Sequence, residues 1–243
     1  MRTSKTLTRI RNGDPVRICA LGHFIPAYVK YAAHYGFDCI WLDLEHRAMD
    51  QREVQALMAF FHKYDIDCLL RAPTLEKAKL YRYLEDGASG LMIPHVSTAE
   101  KAKALVDACK FPPIGDRGIA GAGMDNDFMH FDEDYPARTN AETFLVVQIE
   151  TPEAVDNVDA IASVESVDGL FIGTGDLGFR LKQAPEHPSL EEAIETIAAA
   201  AKKHNKAWGC PVGSADAVRQ RHSQGAQLLA RGGEVIALMN ALG

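Results

Sequence analysis

With 243 residues, 47% of them apolar and 24% charged, the chain is long enough to bury one large core and has an ordinary globular composition. A formal net charge of −7 and scattered basic residues argue against a nucleic-acid or anionic-membrane partner. The amino terminus is polar, no apolar stretch approaches bilayer length, and the five cysteines are widely spaced with no Cys-x-x-Cys, so a cytoplasmic protein with buried, reduced thiols is expected.

The first strand-like run is Val16–Ala20, followed by aromatics and alanines at helical spacing over Pro26–Tyr35. Cys39–Asp43 leads into Asp50–Lys63, which begins on a capping aspartate and carries apolar residues at i, i+3 and i+4. Asp67–Arg71 precedes a helix over Thr74–Asp86 that Gly87 stops. Gly90–Pro94 is followed by helical spacing over Thr98–Cys109. The segment from Lys110 to Glu142 is too long for an ordinary connection and reads as a lid or binding loop; within it the glycine-rich Gly118–Gly123 follows no strand and reads as flexible. Then come Phe144–Ile149 with Pro152–Val164, Gly169–Gly173, a helix over Ser189–His204, Lys206–Cys210 with Ala215–Gln224, and Ala226–Ala230. Eight strands alternating with helices require right-handed crossovers and a parallel sheet. At this length they predict a single-domain (β/α)8 TIM barrel over 1–243. An open doubly wound sheet fits less well, because no Gly-x-Gly-x-x-Gly follows the first strand.

Chemistry in such a barrel belongs at the carboxyl ends of the strands. Glu150 and Asp176 each follow a buried apolar run and are predicted to share that mouth. Two carboxylates with no Cys or His ligand spacing describe a hard divalent-cation site with open positions, although each acid could instead cap a helix. Asp43 and His46, three apart, are close enough for a carboxylate to orient an imidazole as a general base; a surface pair or local cap is the alternative. Arg71 ends an apolar strand and needs an anionic partner, either a structural acid or a substrate oxygen. His23 and His95 stand at other strand ends. Lys77, Lys79, Lys101, Lys103, Lys202 and Lys203 fall in helical patterns and Lys206 starts a strand, so a Schiff-base lysine is not expected.

Six motifs occur in order: Gly-Phe-Asp-Cys-Ile-Trp-Leu-Asp-Leu-Glu-His (36–46), Leu-Leu-Arg-Ala-Pro (69–73), Asp-Gly-Ala-Ser-Gly-Leu-Met-Ile-Pro (86–94), Pro-Pro-Ile-Gly-Asp-Arg-Gly (112–118), Val-Gln-Ile-Glu-Thr (147–151) and Val-Asp-Gly-Leu-Phe-Ile-Gly-Thr-Gly-Asp-Leu (167–177). In this series the chain resembles the HpcH/HpaI family of class II, metal-dependent pyruvate aldolases, which act on 2-keto-3-deoxy acids and 2,4-dihydroxyhept-2-ene-dioate. The resemblance implies a (β/α)8 barrel, a homo-oligomer that is often a hexamer, and a divalent metal, Mg2+, Mn2+ or Co2+. By position it assigns the metal to Glu150 and Asp176, the pyruvate C2 oxygen to Arg71, and proton handling to Asp43 and His46. It sets the pyruvate carboxylate against the backbone of Gly173, Thr174, Gly175 and Asp176, where a helix start offers unpaired donors.

The implied reaction is reversible cleavage of a 4-hydroxy-2-oxo acid to pyruvate and an aldehyde, with His46 taking the C4 hydroxyl proton and the metal and Arg71 stabilising the enolate. A malyl- or citryl-CoA-type lyase, an oxaloacetate decarboxylase and a non-catalytic metabolite-binding barrel are the alternatives. The chain departs from the family pattern at Gly-Thr-Gly-Asp-Leu-Gly (173–178), after Arg117-Gly118, in its last segment, and at Glu85, where an aspartate is usual and which is expected to support the site from behind. These departures bear on the aldehyde, for whose far end Arg117, His130, Arg138 and Val212-Gly213-Ser214 are expected contacts.

Overall fold

The computed structural model describes residues 2–129, 132–184 and 186–243. Eight parallel strands close into a barrel in sequence order: β1 (Val16–Leu21), β2 (Cys39–Asp43), β3 (Asp67–Arg71), β4 (Gly90–Ile93), β5 (Phe144–Ile149), β6 (Gly169–Ile172), β7 (Ala207–Pro211) and β8 (Leu228–Gly233). Alternate residues point in and out. Ile18, Leu69, Met92, Phe144, Phe171 and Leu228 fill the barrel, with Trp41 edge-on to Phe171 at 5.4 Å. Leu21, Leu42, Leu70, Ile93, Ile149 and Ile172 face outward into the core beneath the helices. Between β7 and β8 the backbones approach so closely that a Cβ on Gly209 would stand 1.8 Å from the Leu228 carbonyl oxygen.

Seven strands fall within a residue or so of their predicted bounds. The eighth starts at Leu228 because the Ala226 amide closes onto Arg221 of the preceding helix, and it runs on through Arg231-Gly232-Gly233 with a register shift against β1. The helix after β3 begins only at Lys77, since the Thr74 hydroxyl accepts the Glu76 amide. The helix predicted over Pro152–Val164 is two, Pro152–Asp156 and Val158–Ala162, meeting at Asn157, whose side-chain amide donates to the Ser97 carbonyl. Helices at Lys5–Asn12, Tyr135–Glu142 and Glu234–Leu242 lie outside the predicted set, and the helix start expected at Gly173–Asp176 opens the helix Thr174–Leu181. No helix among the described residues is long and apolar enough to cross a membrane. All five cysteines are free and buried, and burial pushes the Cys19 and Cys109 thiols up to about 12.

The long segment is not a lid over the mouth of its own barrel. The helix after β4 (Ala99–Cys109) carries the chain back to the amino ends of the strands, and the described residues of 110–142 pack on that side. Gly123 packs on the Glu85 carbonyl, and Glu142 accepts the Ser4 amide at 2.7 Å. Arg117 is 3% exposed; it donates to Asp125 at 2.7 Å and stacks 4.4 Å from the Phe111 ring, while Tyr135 donates to the same Asp125 oxygen. Arg138 pairs with Asp132 on the surface. Both arginines are therefore engaged away from the mouth, and His130 lies outside the described residues.

The N-terminal helix covers the same end. Asp67, at the start of β3, accepts from the Ser4 hydroxyl at 2.7 Å and the Thr6 amide at 2.8 Å, with Arg2 at 3.4 Å. Asp67→Ala leaves these donors unpaired, and denaturant unfolding should show a loss of about 1.5–3 kcal/mol. An unchanged midpoint would remove this cluster from the stability of the fold.

Candidate active site

Register brings the first two functional side chains together. Asp43 and Arg71 end neighbouring strands and sit opposite one another. Arg71 Nε and Nη2 donate to the two Asp43 carboxylate oxygens at 2.9 and 2.8 Å, a bidentate pair. Nη1 lies 3.0 Å from Glu45 Oε2, and the guanidinium stacks 4.6 Å from the Trp41 ring. Burial alone would raise the Asp43 carboxyl, but Arg71 and the amides of His46 and Glu45 overcome it and hold Asp43 below the usual carboxylate range.

That pairing corrects the expected Asp43–His46 dyad. Asp43 Oδ1 accepts the backbone amides of Glu45 and His46 at 3.0 and 3.3 Å and does not orient the imidazole. The carboxylate nearest the His46 ring is Glu45, 3.7 Å from Nε2. The reason is valence: two amides and a guanidinium fork occupy Asp43, leaving its neighbour in Asp-Leu-Glu-His to serve the ring.

Glu150 follows β5 and is 2% exposed. Its Oε1 accepts the His95 amide at 2.7 Å and lies 3.0 Å from His95 Nδ1. His95 holds a left-handed backbone, φ 55°, costly for a residue with a Cβ and placed where it aims both groups at one oxygen. The ring continues toward Glu45, 3.7 Å from Nε2, so Glu150, His95, Glu45 and Arg71 form one chain of contacts across the mouth. Burial pushes the Glu150 carboxyl above its ordinary value; His95 opposes this, and the Glu45 and Asp176 charges add to it.

Gly173 makes room for this acid. A Cβ there would stand 2.5 Å from Glu150 Oε2 and 3.1 Å from Gln148 Nε2. Gln148 Oε1 is buried without a hydrogen-bond partner. Gly173 also precedes the helix Thr174–Leu181, which no side chain caps, so Thr174, Gly175 and Asp176 form an open first turn beside Glu150. Burying Leu177 and Leu181 holds that helix despite its glycines. Val212, after β7, donates its amide to the Ala230 carbonyl and, with Ala20, Trp41 and Gly233, lines a cavity of about 920 Å3 at β1 and β8.

Glu85 is not behind the site. It ends the helix that descends from β3, and within one barrel lies at the opposite end from Arg71. Burial raises its carboxyl, the Arg117 charge opposes and Asp125 adds to the rise.

The donor set suits a hard cation. Among the described residues no cluster of three or more His, Cys, Asp or Glu is arranged to hold a metal ion. Glu150 and Asp176 would supply only a partial oxygen shell, the manner in which Mg2+ is commonly held with water and ligand oxygens. A carboxylate raised first by burial, with two like charges adding to the rise, is what a cation at that position would relieve.

The sequence profile of the HpcH/HpaI aldolase/citrate lyase family matches residues 21–241. The chain is 34% identical over 221 residues to a 4-hydroxy-2-oxovalerate aldolase of Rhodococcus jostii, covering 88% of this chain and 82% of the relative. It is 38% identical over 194 residues to a 5-keto-4-deoxy-D-glucarate aldolase of Klebsiella pneumoniae, covering 79% and 74%. In three dimensions it matches the crystal structure of an HpcH/HpaI aldolase from Desulfitobacterium hafniense with a TM-score of 0.90 at 31% identity, over 97% of this chain and 92% of that one. With this match over nearly its whole length, on a closed parallel barrel that gathers its acids and arginine at one mouth, the chain belongs to the HpcH/HpaI aldolase/citrate lyase family.

Proposed function

We propose that this carbon–carbon lyase cleaves a 4-hydroxy-2-oxo acid reversibly to pyruvate and an aldehyde, with Glu150 and Asp176 holding Mg2+, Mn2+ or Co2+. The bound ion would supply Lewis-acid polarisation of the keto acid oxygens. The open turn at Gly173, Thr174, Gly175 and Asp176 offers amides to the substrate carboxylate. His46 takes the proton of the C4 hydroxyl, with the Glu45 carboxylate 3.7 Å from its Nε2. The C4 oxygen becomes the aldehyde carbonyl as the C3–C4 bond breaks, and that electron pair forms the enolate. Arg71 donates to the C2 oxygen where the charge collects, kept in place by Asp43, Glu45 and the Trp41 face. Val212, after β7, is the residue assigned to contact the aldehyde.

The observation that carries this reading is the meeting of Glu150, the open helix turn and Arg71 at one mouth in a chain of this family. The test is pyruvate with Mn2+ in D2O. Deuterium entering the methyl group reports enolate formation without any aldehyde; no exchange at saturating pyruvate and metal would end the proposal.

We also propose a homo-oligomer, with a hexamer as the expected size. Ile236, Leu238, Met239 and Leu242 of the last helix are more than half exposed, an apolar face that a lone barrel leaves in water. Light scattering on the purified protein gives the stoichiometry.

His95 is the positioning residue for the metal. His95→Gly removes the ring while easing the left-handed backbone, and Mn2+ affinity measured by calorimetry should drop about 10–100-fold. An unchanged affinity would show that the backbone amide alone orients Glu150.

A further inference from the structure

His23 stands just past β1 at the carboxyl-end mouth. Its Nδ1 lies 2.9 Å from Glu234 Oε1, and the same oxygen accepts the Gly22 amide at 2.7 Å. Glu234 is 6% exposed, whereas the His23 side chain is 56% exposed. The buried acid thus grips one ring nitrogen, and Nε2 has no hydrogen-bond partner among the described residues. Joining the last helix to β1 needs only the Gly22 bond; gripping the ring as well fixes the tautomer and the direction of an imidazole that is otherwise free.

The barrel order sets what that nitrogen can meet. In the closed ring of eight strands β1 lies across from β5, so His23 stands across the mouth from Glu150, with β3 and Arg71 between them. The β1 end also touches the His46 loop. A Cβ on Gly22 would stand 2.5 Å from Arg47 Cγ, and Arg47 donates to the His46 carbonyl at 2.8 Å. A keto acid anchored at β5 and β6, its C4 hydroxyl at His46, must run its remaining carbons toward β1.

We propose that His23, oriented by Glu234, is a specificity-determining residue that hydrogen-bonds a hydroxyl on the aldehyde carbon next to the carbonyl, selecting α-hydroxyaldehydes over alkyl aldehydes. This rests on the aldolase reading above. A hydroxyl suits the site in either protonation state, donating to a neutral Nε2 or accepting from Nε2–H. His23 takes no part in bond breaking.

The test compares glycolaldehyde with acetaldehyde in condensation with pyruvate and Mn2+. The ratio of their kcat/KM values should fall about tenfold in His23→Leu, the loss of one ligand hydrogen bond, with the change mainly in KM for glycolaldehyde. His23→Gln, whose terminal amide reaches toward the place of Nε2, should recover part of the ratio. A ratio unchanged in His23→Leu, or no recovery in His23→Gln, overturns the role given to His23. If the unmodified enzyme shows no deuterium exchange into pyruvate, the aldolase reading itself fails, and this inference with it.

Discussion

Glu150→Gln should abolish turnover and metal dependence together while leaving the fold intact. Glutamine keeps the volume and an acceptor for the His95 amide 2.7 Å away, so the turn at His95 survives. It lacks the charge that holds a cation. Losing that electrostatic support should cost about 10²–10³ in kcat or more, and Mn2+ binding by paramagnetic resonance should disappear with it. The metal-free variant should melt no lower than the metal-free parent, because the replaced acid is buried and its charge is opposed by Glu45 and Asp176. A variant that keeps activity after chelation, or that melts far below the parent, would contradict the role given to this residue.

Arg71→Lys should fail almost as completely as Arg71→Ala. The guanidinium spans both Asp43 oxygens and Glu45 at once while lying on Trp41. An ammonium is a point charge that cannot reproduce the fork. Either variant should lower kcat by about 10²–10³. They should part in stability: Arg71→Ala leaves two carboxylates facing one another uncompensated, a loss of about 3–5 kcal/mol, and lysine restores much of it. Paired thermal melts and initial rates test this. Near-parental turnover in Arg71→Lys would remove Arg71 from stabilising the enolate oxygen.

The barrel was legible because strand-length apolar runs and helical spacing alternate through the chain, and because β-branched and aliphatic residues dominate runs such as Phe144–Ile149. The acids and arginine were legible as polar residues breaking such runs at their ends. What escaped was mostly contact geometry. Asp43 and Arg71 lie twenty-eight positions apart, and only sheet register shows them as partners. His95 acquires its role from a left-handed turn that a histidine does not announce, and Glu45 from contacts with Arg71 and His95 across the mouth. Glu234 follows the glycine-rich end of β8 and gives no hint in sequence of reaching Gly22. The start of Thr174–Leu181 was legible but its length was not, because Gly175 and Gly178 lower helix propensity where tertiary packing decides. The lid or binding-loop reading of 110–142 rested on length alone, whereas a connection between a helix and the next strand of a βα barrel starts at the amino ends, whatever its length.

Because that connection and the N-terminal helix share one floor, distant from Arg71 and Glu150, the protein separates the work of staying folded from the work of choosing a substrate. Randomising 113–129 should therefore yield clones that differ in expression and heat tolerance yet, in barrels that assemble alike, prefer the same aldehyde. Randomising the short turns after β1 and β7 should do the reverse, which makes those turns the economical place to re-engineer the product.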